Sequence, residues 1–362
     1  MSLTLPDFPW DSLDSHRDRA SEHPGGLIDL SVGSPIDPTP AVATEALANA
    51  AQAPSYPLTA GTPELRAAMA AWWERRRNTG PLSAREVMPS IGSKEMVGLL
   101  PTLLGIRSTD VVVIPEAAYP TYAIGAHVAG AQVVASDDPT EWPEGTKLIW
   151  LNSPGNPTGQ VLDVAYLKEA LSVARKLGAV IVSDECYAEL GWEGVRVPSL
   201  LDHEVTQGNR SGAIALYSTS KQSNAAGYRA ALVAGDEALI QDLLLARKHL
   251  GLIVPAPIQA ALTAVLADDE HVAIQKERYR ARRELVRDAL LEAGFRIEHS
   301  EAGLYLWASR DEDCWDTVKW CAERGVLVTP GSFYGEAGST FVRVALTVSD
   351  QQARAVRDRF SA

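Results

Sequence analysis

The chain has 362 residues, 46% hydrophobic and 22% charged, the balance of a globular protein large enough for two lobes. Its 33 Lys and Arg against 46 Asp and Glu leave a formal net charge of −13, which repels nucleic-acid phosphates and anionic lipid, so neither is expected as a partner. Three irregularly spaced cysteines (Cys186, Cys314, Cys321) build no zinc or disulfide framework, no leader pattern opens the chain, and no apolar run is long enough to span a bilayer, so no metal is expected and a cytoplasmic location is.

In chain order, the first forty residues read as loop rich in Pro and Gly, ending in Leu30-Ser31-Val32-Gly33-Ser34-Pro35. Thr62 is an N-cap with Pro63 at the first helical position, which predicts an amphipathic helix over 64–77. Apolar runs at 111–114, 148–151, 180–183, 213–216 and 230–233 then read as buried strands, with helical patterns between most of them, such as 166–177 and 239–250. That alternation predicts a doubly wound, mostly parallel α/β sheet whose ligands sit at the strands' carboxyl ends. After about Pro255 the pattern changes to a long charged helix (271–293), short strands near 304–308, 326–328 and 341–346, and a closing helix after Asp350. This predicts a large domain over 45–252 and a smaller α+β domain from 1–44 and 253–362. The run Arg278, Arg280, Arg282 and Arg283, set among Glu277 and Glu284, reads as a solvated helix face.

Lysine is scarce, eight in all, so Lys221 in Tyr217-Ser218-Thr219-Ser220-Lys221 stands out after the strand at 213–216. An amine there can have its pKa lowered enough to form an imine, and Ser218, Ser220 and Arg229 suit a phosphate dianion. The same stretch also reads as an exposed polar loop. Asp184 and Tyr187 follow the strand at 180–183, where a carboxylate and a phenol can face a ring, or the Asp can simply cap a turn. The loop Asn152-Ser153-Pro154-Gly155-Asn156-Pro157-Thr158-Gly159 is rigid and presents Asn156.

Taken together, the motifs and their order resemble the pyridoxal 5′-phosphate-dependent class I/II aminotransferases of fold type I, from Gly33 to Arg343. The finer likeness is to N-succinyldiaminopimelate aminotransferases of the shorter type. It rests on Ile91-Gly92-Ser93-Lys94-Glu95, Pro115-Glu116-Ala117-Ala118-Tyr119-Pro120-Thr121-Tyr122, Ser183-Asp184-Glu185-Cys186-Tyr187, and Arg247-Lys248-His249 leading to Val254-Pro255-Ala256-Pro257-Ile258-Gln259-Ala260.

The resemblance implies that Lys221 holds the cofactor covalently and later moves the substrate's Cα proton, and that Asp184 pairs with the ring nitrogen. Tyr187 and Asn156 would bond the ring hydroxyl, and Tyr119 would stack on the ring unless it is a plain core aromatic. Ser93 and Lys94 start a helix whose N-terminus favours phosphate, completed by Ser218, Ser220 and Arg229, although the Lys94 side chain has a solvent-facing alternative. Tyr56 matches a tyrosine lent to the neighbouring subunit's phosphate, which implies a homodimer with shared sites. Arg343, a lone arginine in an apolar strand, would take the substrate's α-carboxylate unless it forms a structural ion pair; Gly33 lies close to the substrate. Gly155 departs from the usual loop and is expected to loosen it. No residue is identified for the succinyl or side-chain carboxylate, with Arg247 and Lys248 the candidates for substrate binding.

The implied activity is amino transfer between N-succinyl-L,L-diaminopimelate and 2-oxoglutarate in lysine and diaminopimelate synthesis. Transamination of another amino acid, such as an aromatic one, and C–S β-elimination keep the same fold and cofactor. A ligand-sensing domain of a transcription regulator is disfavoured by the negative charge and the full set of site residues.

Overall fold

The structure is a computed structural model and describes residues 5–361. After a short strand β1 (Ile28–Asp29), seven strands build one sheet: β2 (Val87–Ser90), β3 (Val111–Ile114), β4 (Gln132–Ala135), β5 (Thr146–Asn152), β6 (Val180–Asp184), β7 (Ala213–Ser218) and β8 (Ala231–Gly235). Their order is β2-β8-β7-β6-β5-β3-β4. The run β7-β6-β5-β3-β4 is parallel, and β8 inserts antiparallel between β7 and β2. The expected mostly parallel, doubly wound α/β sheet is what the chain forms.

Period-two alternation splits the sheet's side chains between two cores. Ile149 and Leu151 of β5 pack with Trp72, Trp73, Leu167 and Leu262 on one side. Leu148 and Trp150 pack with Met96, Leu100, Tyr122 and Leu243 on the other. Each Leu or Trp so buried contributes roughly 1.5–3 kcal/mol. Helix Pro63–Arg77 starts as predicted, with the Thr62 hydroxyl accepting from Leu65 N at 3.1 Å.

The smaller sheet comprises β9 (Arg296–Glu298), β10 (Tyr305–Ser309), β12 (Thr329–Pro330) and β13 (Phe341–Ala345), in the order β12-β13-β10-β9, while β11 (Val326–Leu327) pairs with β1. Leu13, Ile28 and Leu30 share one core with Val318, Val344 and Val356, so the N-terminal segment joins the C-terminal lobe.

Two sequence expectations need correction, and the domain division invites a different proposal. The first forty residues are not all loop: Asp14–Ser21 is a helix, almost wholly polar, that rests on helix Cys314–Glu323. Helix Ala256–Leu266, placed by sequence in the smaller domain, buries Leu262, Val265 and Leu266 against Trp72 and Trp73 of the large core; we propose that the division falls after it. The arginine run is only half solvated. Arg282 is buried on Asp37 (2.7 Å) and Asp350 (2.8 Å), and Arg283 on the Ser300 carbonyl (2.8 Å) and Glu193 (2.8 Å). Among the described residues no helix is long and apolar enough to cross a membrane.

Candidate active site

A cavity of about 1370 Å³ opens where the carboxyl ends of the large sheet's strands meet the smaller lobe. The register of β5 and β6 sets Asn152 beside Asp184, and β7 brings Leu216 alongside. Just beyond β7, a single helical turn capped by Ser218 carries Lys221 into the cavity.

Lys221 is partly buried, and the loss of solvent around it brings its amine below the ordinary lysine range. Its Nζ contacts the Gly33 carbonyl of the N-terminal segment. Asp184 lies deep in the floor. Burial pushes its carboxyl up, opposed by hydrogen bonds from the Tyr122 hydroxyl (3.0 Å) and the Cys186 backbone N–H (3.2 Å). Those donors favour the ionised form but do not outweigh burial, so a cation in the cavity beside Asp184 is what would hold it as a carboxylate.

One wall is an anion cup. Helix Ser93–Leu103 points its N-terminus into the cavity, and its cap residue Gly92 has φ 75. A Cβ on Gly92 would overlap the Arg229 guanidinium, so glycine is what lets this arginine lie across the helix start. Ser218 Oγ donates to Ser220 Oγ at 2.8 Å beside it. Backbone N–H groups, two hydroxyls and a guanidinium converge, the donor set a phosphate requires.

Opposite the cup, Arg343 of β13 is buried. Its Nη1 donates to Asn156 Oδ1 (2.9 Å), its Nη2 to the Ser31 carbonyl (2.7 Å), and its Nε has no partner. Among the described residues no carboxylate pairs with it. A buried, unpaired guanidinium held by neutral acceptors is a site awaiting an anion.

Twelve of the residues singled out by sequence line this one cavity: Gly33, Ser93, Lys94, Tyr119, Asn156, Asp184, Tyr187, Ser218, Ser220, Lys221, Arg229 and Arg343. Lys94 lines the cavity at its exposed rim, with Nζ 5.7 Å from the Phe8 ring centroid and 5.9 Å from that of Tyr119. Tyr56 and Lys248 lie outside it, both exposed, Tyr56 at 97%. Arg247 is not available to substrate, because it is fully buried on Glu95 (2.7 Å), whose carboxylate also accepts from Ile91 N (3.2 Å) at the start of the cup's helix. The Gly155 loop is braced, not loosened. Gly155 N donates to the Gln160 carbonyl (2.9 Å), Gly159 N to the Gly155 carbonyl (2.9 Å), and Asn156 N to Asn152 Oδ1 (2.7 Å).

Sequence reasoning missed Tyr122, Tyr305 and Trp10. Tyr305 Oη lies 3.1 Å from Tyr187 Oη, and its ring covers the Arg343 guanidinium at 4.0 Å. Trp10 lies 5.9 Å from the same guanidinium. Tyr122 carried a signal, being in the same motif as Tyr119 and one turn further on, in the first turn of helix Thr121–Ala129; the other two meet the site only through tertiary contacts.

A reactive amine, an anion cup, a buried carboxylate for a cationic ring and a free guanidinium define an enzyme that processes amino acids on a phosphorylated aldehyde cofactor. The profile of the aminotransferases of class I and II matches residues 26–360, and the chain belongs to that family. It is a pyridoxal 5′-phosphate-dependent aminotransferase. The 4-dedimethylamino-4-oxo-anhydrotetracycline transaminase OxyQ of Streptomyces rimosus is 50% identical over 358 residues, covering 99% of each chain. A probable aminotransferase of Mycobacterium tuberculosis is 48% identical over 362 residues, covering 100% of this chain and 86% of its own. Among solved structures, a probable N-succinyldiaminopimelate aminotransferase from Thermus thermophilus superposes with a TM-score of 0.88 at 30% identity, covering 98% of this chain and 99% of that one.

Proposed function

We propose that the enzyme exchanges an amino group between an amino acid carrying a second carboxylate and 2-oxoglutarate, with N-succinyl-L,L-diaminopimelate the donor to test first. The observation that carries amino-acid transfer is Arg343, buried without a carboxylate partner and sharing Lys221's cavity. Lys94 supports the second carboxylate. It is an exposed cation at the rim of the same cavity, beside two aromatic rings and with no carboxylate paired to it among the described residues. The Thermus structure, whose name specifies the succinylated substrate, supports the particular donor.

The residues present fit the cofactor. The Gly92 notch with Arg229, Ser218 and Ser220 would hold its phosphate, Asp184 its ring nitrogen, and Tyr187 and Asn156 its ring hydroxyl, with Tyr119 against the ring face. Bound pyridoxal phosphate supplies an aldehyde that condenses with amines and a ring that accepts the electrons of the broken Cα–H bond. Arg343 orients the substrate by its α-carboxylate and presents Cα to Lys221. The Lys221 amine, less basic for being buried, would take the Cα proton and hold it for return to the product. Asp184, which accepts from the Tyr122 hydroxyl, would pair with the protonated ring nitrogen, and that cation would in turn favour the carboxylate. Tyr56, exposed and outside its own chain's cavity, would complete the phosphate site of a second copy in a homodimer.

A second reading is favoured by the wall of Phe8, Trp10, Tyr119, Phe333 and Tyr334, which suits a flat aromatic substrate, and by OxyQ, whose name specifies a polycyclic ketone. One experiment separates the two. The visible spectrum of the holoenzyme is recorded before and after N-succinyl-L,L-diaminopimelate, and again with glutamate or an aromatic amino acid, all without a keto acid. Loss of the yellow band with the succinylated donor supports the first reading. Bleaching by the other donors alone discards that substrate, and pyruvate release from cystathionine would move the assignment to β-elimination.

A further inference from the structure

Tyr305 takes no part in the roles assigned above, yet it touches both halves of the site. It stands on β10, which pairs with β13, the strand that carries Arg343. Its ring centroid lies 4.0 Å from the Arg343 guanidinium carbon, so the cation rests on the aromatic face while Asn156 and Ser31 hold its two amino groups. Its hydroxyl lies 3.1 Å from that of Tyr187, and the two rings meet edge to face with centroids 5.5 Å apart. A Cβ on Gly33 would overlap the Tyr305 hydroxyl, so the bare glycine leaves the room in which that hydroxyl sits.

We propose that Tyr305 is a positioning residue that serves both half-sites, its ring holding Arg343 ready for the substrate carboxylate and its hydroxyl donating to Tyr187 so that Tyr187 donates more strongly to the cofactor. This rests on the reading of Tyr187 as a partner of the cofactor's ring hydroxyl. The direction of the hydrogen bond follows from the count of protons: Tyr187 has one hydroxyl proton, and if that is given to the cofactor's ring hydroxyl, Tyr187 can only accept from Tyr305. A hydroxyl that receives a hydrogen bond becomes a stronger donor in turn. A stronger bond to the ring hydroxyl would draw electron density away from the nitrogen through which Lys221 holds the cofactor and lower the pH at which that nitrogen loses its proton.

The test uses the purified holoenzyme and two readouts other than turnover: the pH midpoint of the visible-band change, and the Kd of succinate, a carboxylate with no amine to react, measured by its perturbation of that band. Tyr305→Phe keeps the ring and removes the hydroxyl. It is expected to raise the pH midpoint by about half a unit and leave the succinate Kd within about twofold. Tyr305→Leu removes both groups, and is expected to shift the midpoint likewise and weaken succinate about tenfold. A midpoint unmoved in Tyr305→Phe overturns the inference, as does a succinate Kd unmoved in Tyr305→Leu. Tyr187→Phe is the reference: if it leaves the midpoint unmoved, the underlying reading of Tyr187 fails, and that failure is distinguishable from one confined to Tyr305.

Discussion

Two buried arginines illustrate opposite uses of one residue type. Arg77 and Glu185 form a buried pair at 3.0 Å, and Glu185 also accepts from Ser199 Oγ (2.8 Å) and Leu200 N (2.9 Å). Removing Arg77 strands a carboxylate that burial already pushes toward its neutral form. Arg77→Met is therefore expected to lower unfolding stability by about 3 kcal/mol or more, read from the denaturant midpoint. Arg343 has no such partner, so its burial is a cost that the protein carries for its ligand. Arg343→Met is expected to leave Tm within about 3 °C of the parent while raising KM for every amino-acid substrate about 100-fold, the loss of a bidentate charge-assisted pair. A Tm that falls as far as that of Arg77→Met would show a structural role for Arg343.

At the scale of elements, the anion cup depends on where one helix begins. Gly92 combines φ 75 with a missing side chain against Arg229, whereas Gly130, closing helix Thr121–Ala129 at φ 79, has nothing within 4 Å of an added Cβ. Both Ala substitutions carry the backbone strain of a left-handed residue, about 1–2 kcal/mol. Only Gly92→Ala also displaces Arg229. Titrating apoenzyme with pyridoxal phosphate is expected to show at least about tenfold weaker binding for Gly92→Ala and unchanged affinity for Gly130→Ala. Equal affinities would detach the cup from the helix start. Much of this scale was legible in the sequence, because buried parallel strands are continuous apolar runs and the Thr62-Pro63 cap is local chemistry. Helix Asp14–Ser21 was not, since it has scarcely an apolar residue and owes its existence to its seat on another helix. Nor was Tyr305, which reaches Arg343 across a register that no local pattern encodes, or the true partner of Arg247, a glutamate 152 positions away. Ser93, Asn156, Tyr187 and Lys221 were legible because each follows a strand end, where the chain's direction alone aims a loop at the site, and Arg343 because it is a lone charge within an apolar strand.

At the scale of the whole molecule, the proposed dimer makes a claim about stoichiometry. Tyr56 is 97% exposed, Leu58 beside it is 57% exposed, and neither lines the cavity of its own chain. If Tyr56 serves the neighbouring copy, each site needs Lys221 and Tyr56 from different chains. Lys221→Ala then destroys the site on its own chain, and Tyr56→Ala the site on its partner. Subunits mixed in equal amounts and allowed to reassort give heterodimers in about half of all pairs. Each heterodimer contains one site with both residues intact and one with both lost. About a quarter of all sites should therefore recover the parent's visible band, at a cofactor concentration too low to fill the Tyr56→Ala homodimer; the principle is the mutual completion of an isologous pair. A mixture that shows only the average of its two separate components would place Tyr56 in the service of its own chain, or of no site at all, and would leave Arg229, Ser218, Ser220 and the helix start to hold the phosphate alone.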